Sequence, residues 1–495
     1  MANPHSRRDG GGRRGCGARR PRRQRFRHWR IGAGRWRVIR GAPLGAFLFA
    51  VLFLATPLSA FEIERVVSPG GIEAWLVEEH TVPVIVMEVA WEGGTATDTA
   101  EKAGTANMAA SLLGEGAGDL PSQAFNARLD DIAAQLSFSV DNDYFNASLK
   151  TLAEARDEAF SLFALAIAEP RFDEDAVARI RAQLGVVVAR NRQSPDWLAA
   201  DAWYRAALGG HPYALNRHGT PESVPRISRD DLTRYTGNVL ARDNMKIAIV
   251  GPISAEELGP LLDRTFGGLP AKAVLPDIPA VEVASGAQTV VVERDFPQSV
   301  VIFGTQGIAR DDPDFIPAFM MNHILGSGSF SSRLMEEVRE KRGLAYSVGT
   351  SLSPLKKAAM MFGQVATRNE RVGQSLAIIR SEMRRMAEES VSAEELADAK
   401  TYLTGSYPLR FTSNSSIANQ LIGIQTEDLG IDYVERRNGL IEEVTQEDIA
   451  RVARRLLRAD DLIVAIVGRP NLSPVVEGLP ETGDMKPPAE PTRQH

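Results

Sequence analysis

Cysteine and paired histidine are what this chain lacks. Its one cysteine, Cys16, lies within the first 60 residues, so the rest of the chain has no disulfide and no thiol chemistry. The seven histidines stand at 5, 28, 80, 211, 218, 323 and 495, and no two lie one helical turn apart. That excludes a zinc ion gripped between two imidazoles on one helix face. Glutamate is also missing from the whole stretch between Glu174 and Glu222. Positive charge is outnumbered outside the N-terminus. Residues 1–60 hold 14 Arg and one acid, Asp9, a net of +13 that leaves −19 on the remainder of a chain whose total is −6. So acidic a body argues against nucleic acid or an anionic membrane as partner.

The N-terminal 60 residues divide in two. Residues 1–41 are rich in Arg and Gly without periodicity and read as disordered. The run GAPLGAFLFAVLFLATPLSA at 41–60 has a basic flank, an apolar middle and a small-residue exit at Ser59-Ala60. Those features describe a secretory signal peptide cleaved near Phe61, and so a periplasmic or secreted protein. A membrane anchor is the alternative reading of the same run.

What is present is a duplication. SRDDLTRYTGNVLARDNMKIAIVG at 228–251 and TQEDIARVARRLLRADDLIVAIVG at 445–468 share an offset of 217 from Ser228 and Thr445 to Gly251 and Gly468. The same shift lays the apolar run 82–89 on 300–307 within about one residue. Alternation and helical periodicity predict strands over 62–67, 71–79, 82–91, 136–143, 144–152 and 245–251 in the first copy. Helices are predicted over 103–113, 122–134, 153–168, 173–193 and 228–240. The second copy predicts strands over 299–306, 344–352, 358–367 and 462–467, and helices over 313–325, 331–342, 370–389, 392–405 and 445–457. The expected fold class is α+β: two homologous units, each a sheet with helices on one side. The divisions read as 61–268 for the first unit, 269–290 for a Pro/Gly/Ala-rich linker, 291–475 for the second unit and 476–495 for a flexible tail.

Three segments carry a family resemblance: GTANMAASLLGEGA (104–117), GGHPYALNRHGTPESV (209–224) and SFSSRLMEEVREKRGLAYSV (329–348). With the order of elements, they resemble the pitrilysin/insulinase zinc metallopeptidases, in the short two-unit branch that includes bacterial and mitochondrial processing peptidases. The resemblance implies an inverted zinc motif, His-x-x-Glu-His, on the first helix of the first unit. There the histidines hold Zn²⁺ and the glutamate activates the metal-bound water. The matching positions are Asn107, Ala110 and Ser111, and none of the three motif side chains is present. The family's third ligand is a glutamate some seventy residues on, where this chain reads QLGVVVARNRQSPD (183–196). No metal is expected on this chain.

The second unit keeps more. In the family an Arg and a Tyr seven apart reach the substrate backbone and the developing oxyanion, and Arg339 and Tyr346 stand at that spacing. Arg supplies a fixed fork of donors and Tyr an oriented hydroxyl. From spacing alone, the pair also reads as a solvated last-turn cation and a core aromatic. Other candidates reduce to ordinary structure. His211 and His218 flank a Pro and lack a third ligand, so His211 is expected to fix the HPY turn. GSGSFSSRL (326–334) lacks the Gly-Lys-Ser/Thr of a phosphate loop. Glu336-Glu337 and Glu394-Glu395 read as solvated helix faces. The resemblance then implies a non-catalytic subunit of a heterodimeric peptidase, with zinc held by a homologous HxxEH-bearing partner and the peptide enclosed between the two chains. A structural or binding protein of the same fold, without a peptidase role, is the alternative.

Overall fold

The computed structural model describes residues 61–328 and 331–473. The Arg-rich region, the proposed signal segment at 41–60 and the tail from 476 lie outside the described residues.

The first unit begins with strands β1 (Glu64–Val67), β2 (Glu73–Glu78) and β3 (Val84–Glu92), then helix α1 (Thr105–Leu112). A two-residue ladder joins β4 (Gly116–Ala117) to β5 (Leu120–Pro121), and α2 (Ser122–Asp131) follows. Strands β6 (Gln135–Val140) and β7 (Tyr144–Leu152) form the expected hairpin, ahead of α3 (Arg156–Ala168), α4 (Glu174–Asn191) and α5 (Pro195–Leu208). Then come α6 (Arg229–Val239), β8 (Met245–Gly251) and α7 (Ala255–Phe266). The second unit runs β9 (Gln288–Glu293), β10 (Gln298–Gln306), α8 (Phe315–Asn322), β11 (Ala345–Leu355), β12 (Ala358–Arg368), α9 (Val372–Glu389) and α10 (Ala393–Gly405). It closes with α11 (Asn414–Thr426), α12 (Tyr433–Glu443), α13 (Gln446–Leu456) and β13 (Ile463–Gly468).

The sheets share one topology. The first has strand order β1-β2-β8-β3-β7-β6 and the second β9-β13-β10-β12-β11 when read in the same direction. Element for element they match, except that the second has no counterpart of β1. Both copies of the sequence repeat start a helix with a capping box, Ser228 with Asp231 and Thr445 with Asp448, so the first-turn N–H groups are satisfied the same way. Both end a central strand on a glycine with positive φ, 155° at Gly251 and 147° at Gly468. A Cβ at Gly251 would lie 2.7 Å from the Val84 carbonyl oxygen, and one at Gly468 2.4 Å from Ser299 Oγ.

One repeat alignment needs correction. Val86 pairs with Val250 in the first sheet, and Val300 pairs with Val467 in the second. Thus β3 and β10 are related by 214 residues, not the 217 that relates β8 to β13, and 84–92 matches 298–306. Hydrophobic runs alone leave such a slip open, because the register is set by strand pairing.

Each sheet packs its own unit's helices on one face. The first core joins α1, α3, α4, α6 and α7 to that face, and the second joins α8, α9, α10 and α13 to its own. The opposite faces are covered by an exchange. Helix α5 leaves the first unit and lies on the second sheet, where Ala199, Trp203 and Ala207 pack with Val300, Met360, Ala465 and Val467. Helix α11 leaves the second unit and lies on the first sheet, where Ile417, Ala418, Leu421 and Ile424 pack with Trp75, Val86, Ala248 and Val250. Burial of each large apolar side chain there contributes about 1.5–3 kcal/mol. The exchanged helices are also hydrogen-bonded across. Asn414 Nδ2 donates to the Val84 carbonyl at 2.8 Å and Gln425 Nε2 to the Ile247 carbonyl at 3.0 Å. A polar pin adds to this at the β11–β12 turn: the Lys356 N–H reaches Asp143 Oδ2 at 3.1 Å and the Lys357 N–H reaches the Tyr213 hydroxyl at 3.1 Å.

Candidate functional site

Helix α1 is built as a helix meant to hold position. Its N-terminus is tied by a carboxylate from outside the helix: Asp98 accepts from the Gly104 N–H at 2.8 Å and from the Ala106 N–H at 3.1 Å. Burial pushes the Asp98 carboxyl up to about 7, against the lowering by those N–H bonds. Met108, Ala109 and Leu112 bury the inner face, and α1 packs against α4, α6 and β6.

One face of α1 brings Asn107, Ala110 and Ser111 together, as the one-turn spacing requires. Their chemistry does not suit a metal. Ala110 has no donor atom and is 6% exposed. Ser111 Oγ donates to the Asn107 carbonyl at 3.0 Å, which ties it to the helix backbone. Across from α1, the last turns of α4 bury Leu184 and Val188 and leave Val186 70% exposed. No glutamate stands on this stretch, where the family's third ligand is expected. Among the described residues, no group of three His, Cys, Asp or Glu is placed to hold a metal ion. The residues present do not fit zinc.

Arg339 and Tyr346 are brought together. Residues Met335–Glu340 continue the helical path as a π-helical segment, and Gly343 closes it with φ 56° and an N–H bond to the Arg339 carbonyl at 2.8 Å. The Arg339 guanidinium lies 5.1 Å from the centre of the Tyr346 ring. Its Nε is 3.4 Å from Glu340 Oε1. Tyr346 is 83% exposed although it stands in a strand. The cause is a β-bulge: Ala345 pairs with Thr367 and Val348 with Val365, so Tyr346 and Ser347 together face a single partner position. The extra residue turns the side chain out of the sheet's ordinary alternation. Of the two readings of Tyr346, the core aromatic is excluded. The pair lies in the second unit, on the segments Met335–Glu340 and β11, whereas α1 lies in the first.

The other candidates settle as structure. His211 Nδ1 accepts from the Tyr213 N–H at 3.2 Å and its Nε2 bonds the Pro279 carbonyl at 2.9 Å, fixing the HPY turn as expected. His218 is half-buried, and burial lowers its pKa. Two of these acidic residues are paired with cations rather than freely solvated. Glu337 is 9% exposed and bonds Lys341 and Arg342. Glu395 takes Arg333 as a bidentate partner at 2.6 and 2.8 Å, a contact that holds its carboxyl down to about 2. Charge runs read as surface because a helix's partners are invisible in sequence. For Asp98 no local signal existed, since it caps a helix it does not belong to. A cluster of arginines around Tyr407 and Tyr433, taken up below, matches no spacing motif either.

Comparison with known proteins places these features in a family. The family described as Insulinase (Peptidase family M16) matches residues 76–220, and that described as Peptidase M16 inactive domain matches residues 226–403. The chain belongs to the insulinase (M16) peptidase family. A Helicobacter pylori protein named non-peptidase homolog YmxG is 26% identical over 391 residues, 79% of this chain and 90% of that protein. An uncharacterized zinc protease YmxG of Bacillus subtilis is 23% identical over 401 residues, 78% of this chain and 97% of that protein. Among solved structures, a peptidase M16 inactive domain from Pseudomonas fluorescens has a TM-score of 0.78 at 27% identity, covering 83% of this chain and 98% of its own. A chain of complex III2 from Candida albicans has the same fold, with a TM-score of 0.68 at 15% identity over 82% of this chain and 96% of its own.

Proposed function

We propose that this chain is the non-catalytic subunit of a two-chain zinc peptidase. A homologous partner carrying the intact His-x-x-Glu-His supplies the metal and the base. This chain supplies Arg339, Tyr346 and half of the wall around the peptide. One observation carries the reading: α1 keeps its cap and its packing but has no donor set, while Arg339 and Tyr346 are held together at an exposed bulge. An Arg fork beside a Tyr hydroxyl suits a peptide carbonyl that gains negative charge. The name of the Helicobacter relative is in line with a chain that does not cut peptides itself. The apolar segment at 41–60 supports export of this chain from the cytoplasm.

The test mixes the purified chain with its HxxEH-bearing homologue and assays peptide cleavage. Turnover is expected to rise on mixing and to fall about 10²-fold with Arg339→Ala, as for loss of one oxyanion donor. Tyr346→Phe separates the hydroxyl from the ring and is expected to show most of the loss seen with Tyr346→Ala. Unchanged turnover in all three variants would reject the peptidase role and leave a binding protein of the same fold.

A further inference from the structure

A cleft of about 480 Å³ opens in the second unit, between α8, β11, α11, α12 and the turn Tyr407–Phe411. Its base is charged. Arg437 is 5% exposed, and its guanidinium lies 4.1 Å from the Tyr407 ring centre. Its Nη1 donates to the Leu403 carbonyl at 3.1 Å and to Asn438 Oδ1 at 3.0 Å. No carboxylate among the described residues forms an ion pair with it. A buried cation without a counterion is costly. Arg410 lines the same cleft, also without an ion-pair partner among the described residues, and its charge repels that of Arg437.

The one acid in the cleft is committed elsewhere. Glu427 Oε2 lies 3.4 Å from Arg310 Nε, and Arg310 Nη2 donates to the Tyr433 hydroxyl at 3.1 Å. Phe319 and Leu352 supply apolar wall. Two guanidiniums with unsatisfied charge thus face a space bounded by aromatic and aliphatic surface. A bidentate Arg–carboxylate contact is the chemistry such a floor is built for.

We propose that this cleft is a binding site for a carboxylate carried on an apolar arm, with Arg437 and Arg410 as the anion's partners. Two sources share that chemistry: a free small acid and the C-terminus of a peptide. The fold makes the second accessible. Strand β11, at the edge of its sheet, carries Tyr346 near its start and lines the cleft at Ser351 and Leu352. Ser351 stands five positions after Tyr346, about 17 Å in extended chain. The site itself needs neither zinc nor a partner subunit.

The experiment is calorimetric titration of the full chain with N-acetyl-phenylalanine, with its carboxamide, and with a hexapeptide ending in phenylalanine as free acid or amide. Acids are expected to bind and amides to bind at least about tenfold more weakly, the size of one charge-assisted contact. Arg410→Gln, at an exposed position, and Arg437→Gln are each expected to weaken acid binding by a similar factor. Thermal unfolding checks that both variants are folded. If the hexapeptide acid outbinds the small acid, the source is a peptide end; the reverse order assigns a free acid. Equal binding of acid and amide, wild-type affinity in a folded Arg410→Gln chain, or no binding of any acid at millimolar concentration would overturn the proposal.

Discussion

Trp203 of the first unit donates its indole N–H to the carbonyl of Ile463 in the second, at 3.1 Å. The ring is fully buried and lies under Gly304, where a Cβ would come within 2.6 Å of it. The contact makes α5 part of the second unit's core although it belongs to the first unit's sequence. Trp203→Ala is therefore expected to cost about 3–5 kcal/mol, the range for removing a large buried aromatic. Both sheets should lose protection together in denaturant with hydrogen exchange. A loss confined to the first unit would contradict the exchange of helices.

Asp98 gives a pH prediction. Its folded-state pKa is raised to about 7 from an ordinary value of 3.8. Folding then favours the protonated form. The contribution is fully present below about pH 4, is lost progressively as pH rises toward 7, and changes no further above that. Asp98→Asn removes the titration while keeping an acceptor for the Gly104 N–H. Urea unfolding at a series of pH values should show wild type losing stability relative to the variant between about pH 4 and 7. A gap that widens in the opposite direction would refute the assignment.

The missing donors can be put back in part. Asn107→His with Ser111→His sets two imidazoles one turn apart on α1. The double variant is expected to bind zinc measurably where the wild type does not. It should remain without cleavage activity, since neither the base nor the α4 carboxylate returns. Chelator-sensitive peptide cleavage by that variant would mean that another residue supplies the base.

Much of this architecture was legible in the chain. The capping boxes at Ser228 and Thr445, the strands ending on Gly251 and Gly468, and the missing motif at Asn107, Ala110 and Ser111 are all local patterns. Helix α7 is also a local pattern, opening on the Ser254–Glu257 capping box, although it is not among the expected helices; α5 and α11 depend on non-local partners. Helix α5 carries a start signal, Ser194 followed by Pro195, and the Ser194 side chain accepts from the Trp197 N–H. Yet its partner is a sheet whose first strand, β9, begins at Gln288, far outside its own unit, so no period within that unit marks it. Helix α11 reads NSSIANQLIGIQT, rich in residues of low helix propensity, and it is held by the Ser413–Ser416 capping box and by the first sheet. The exposure of Tyr346 rests on a bulge whose register depends on β12, and sequence spacing does not carry strand register. Arg437 sits in an ordinary-looking charged helix, ERRN, and only the fold seats it beneath Tyr407.

The most direct test of the central claim is metal content and peptide cleavage of the chain purified by itself. No stoichiometric zinc and no chelator-sensitive cleavage are expected, with activity appearing only when the HxxEH-bearing homologue is added. One zinc per chain, together with cleavage by the lone protein that a chelator abolishes, would contradict the account.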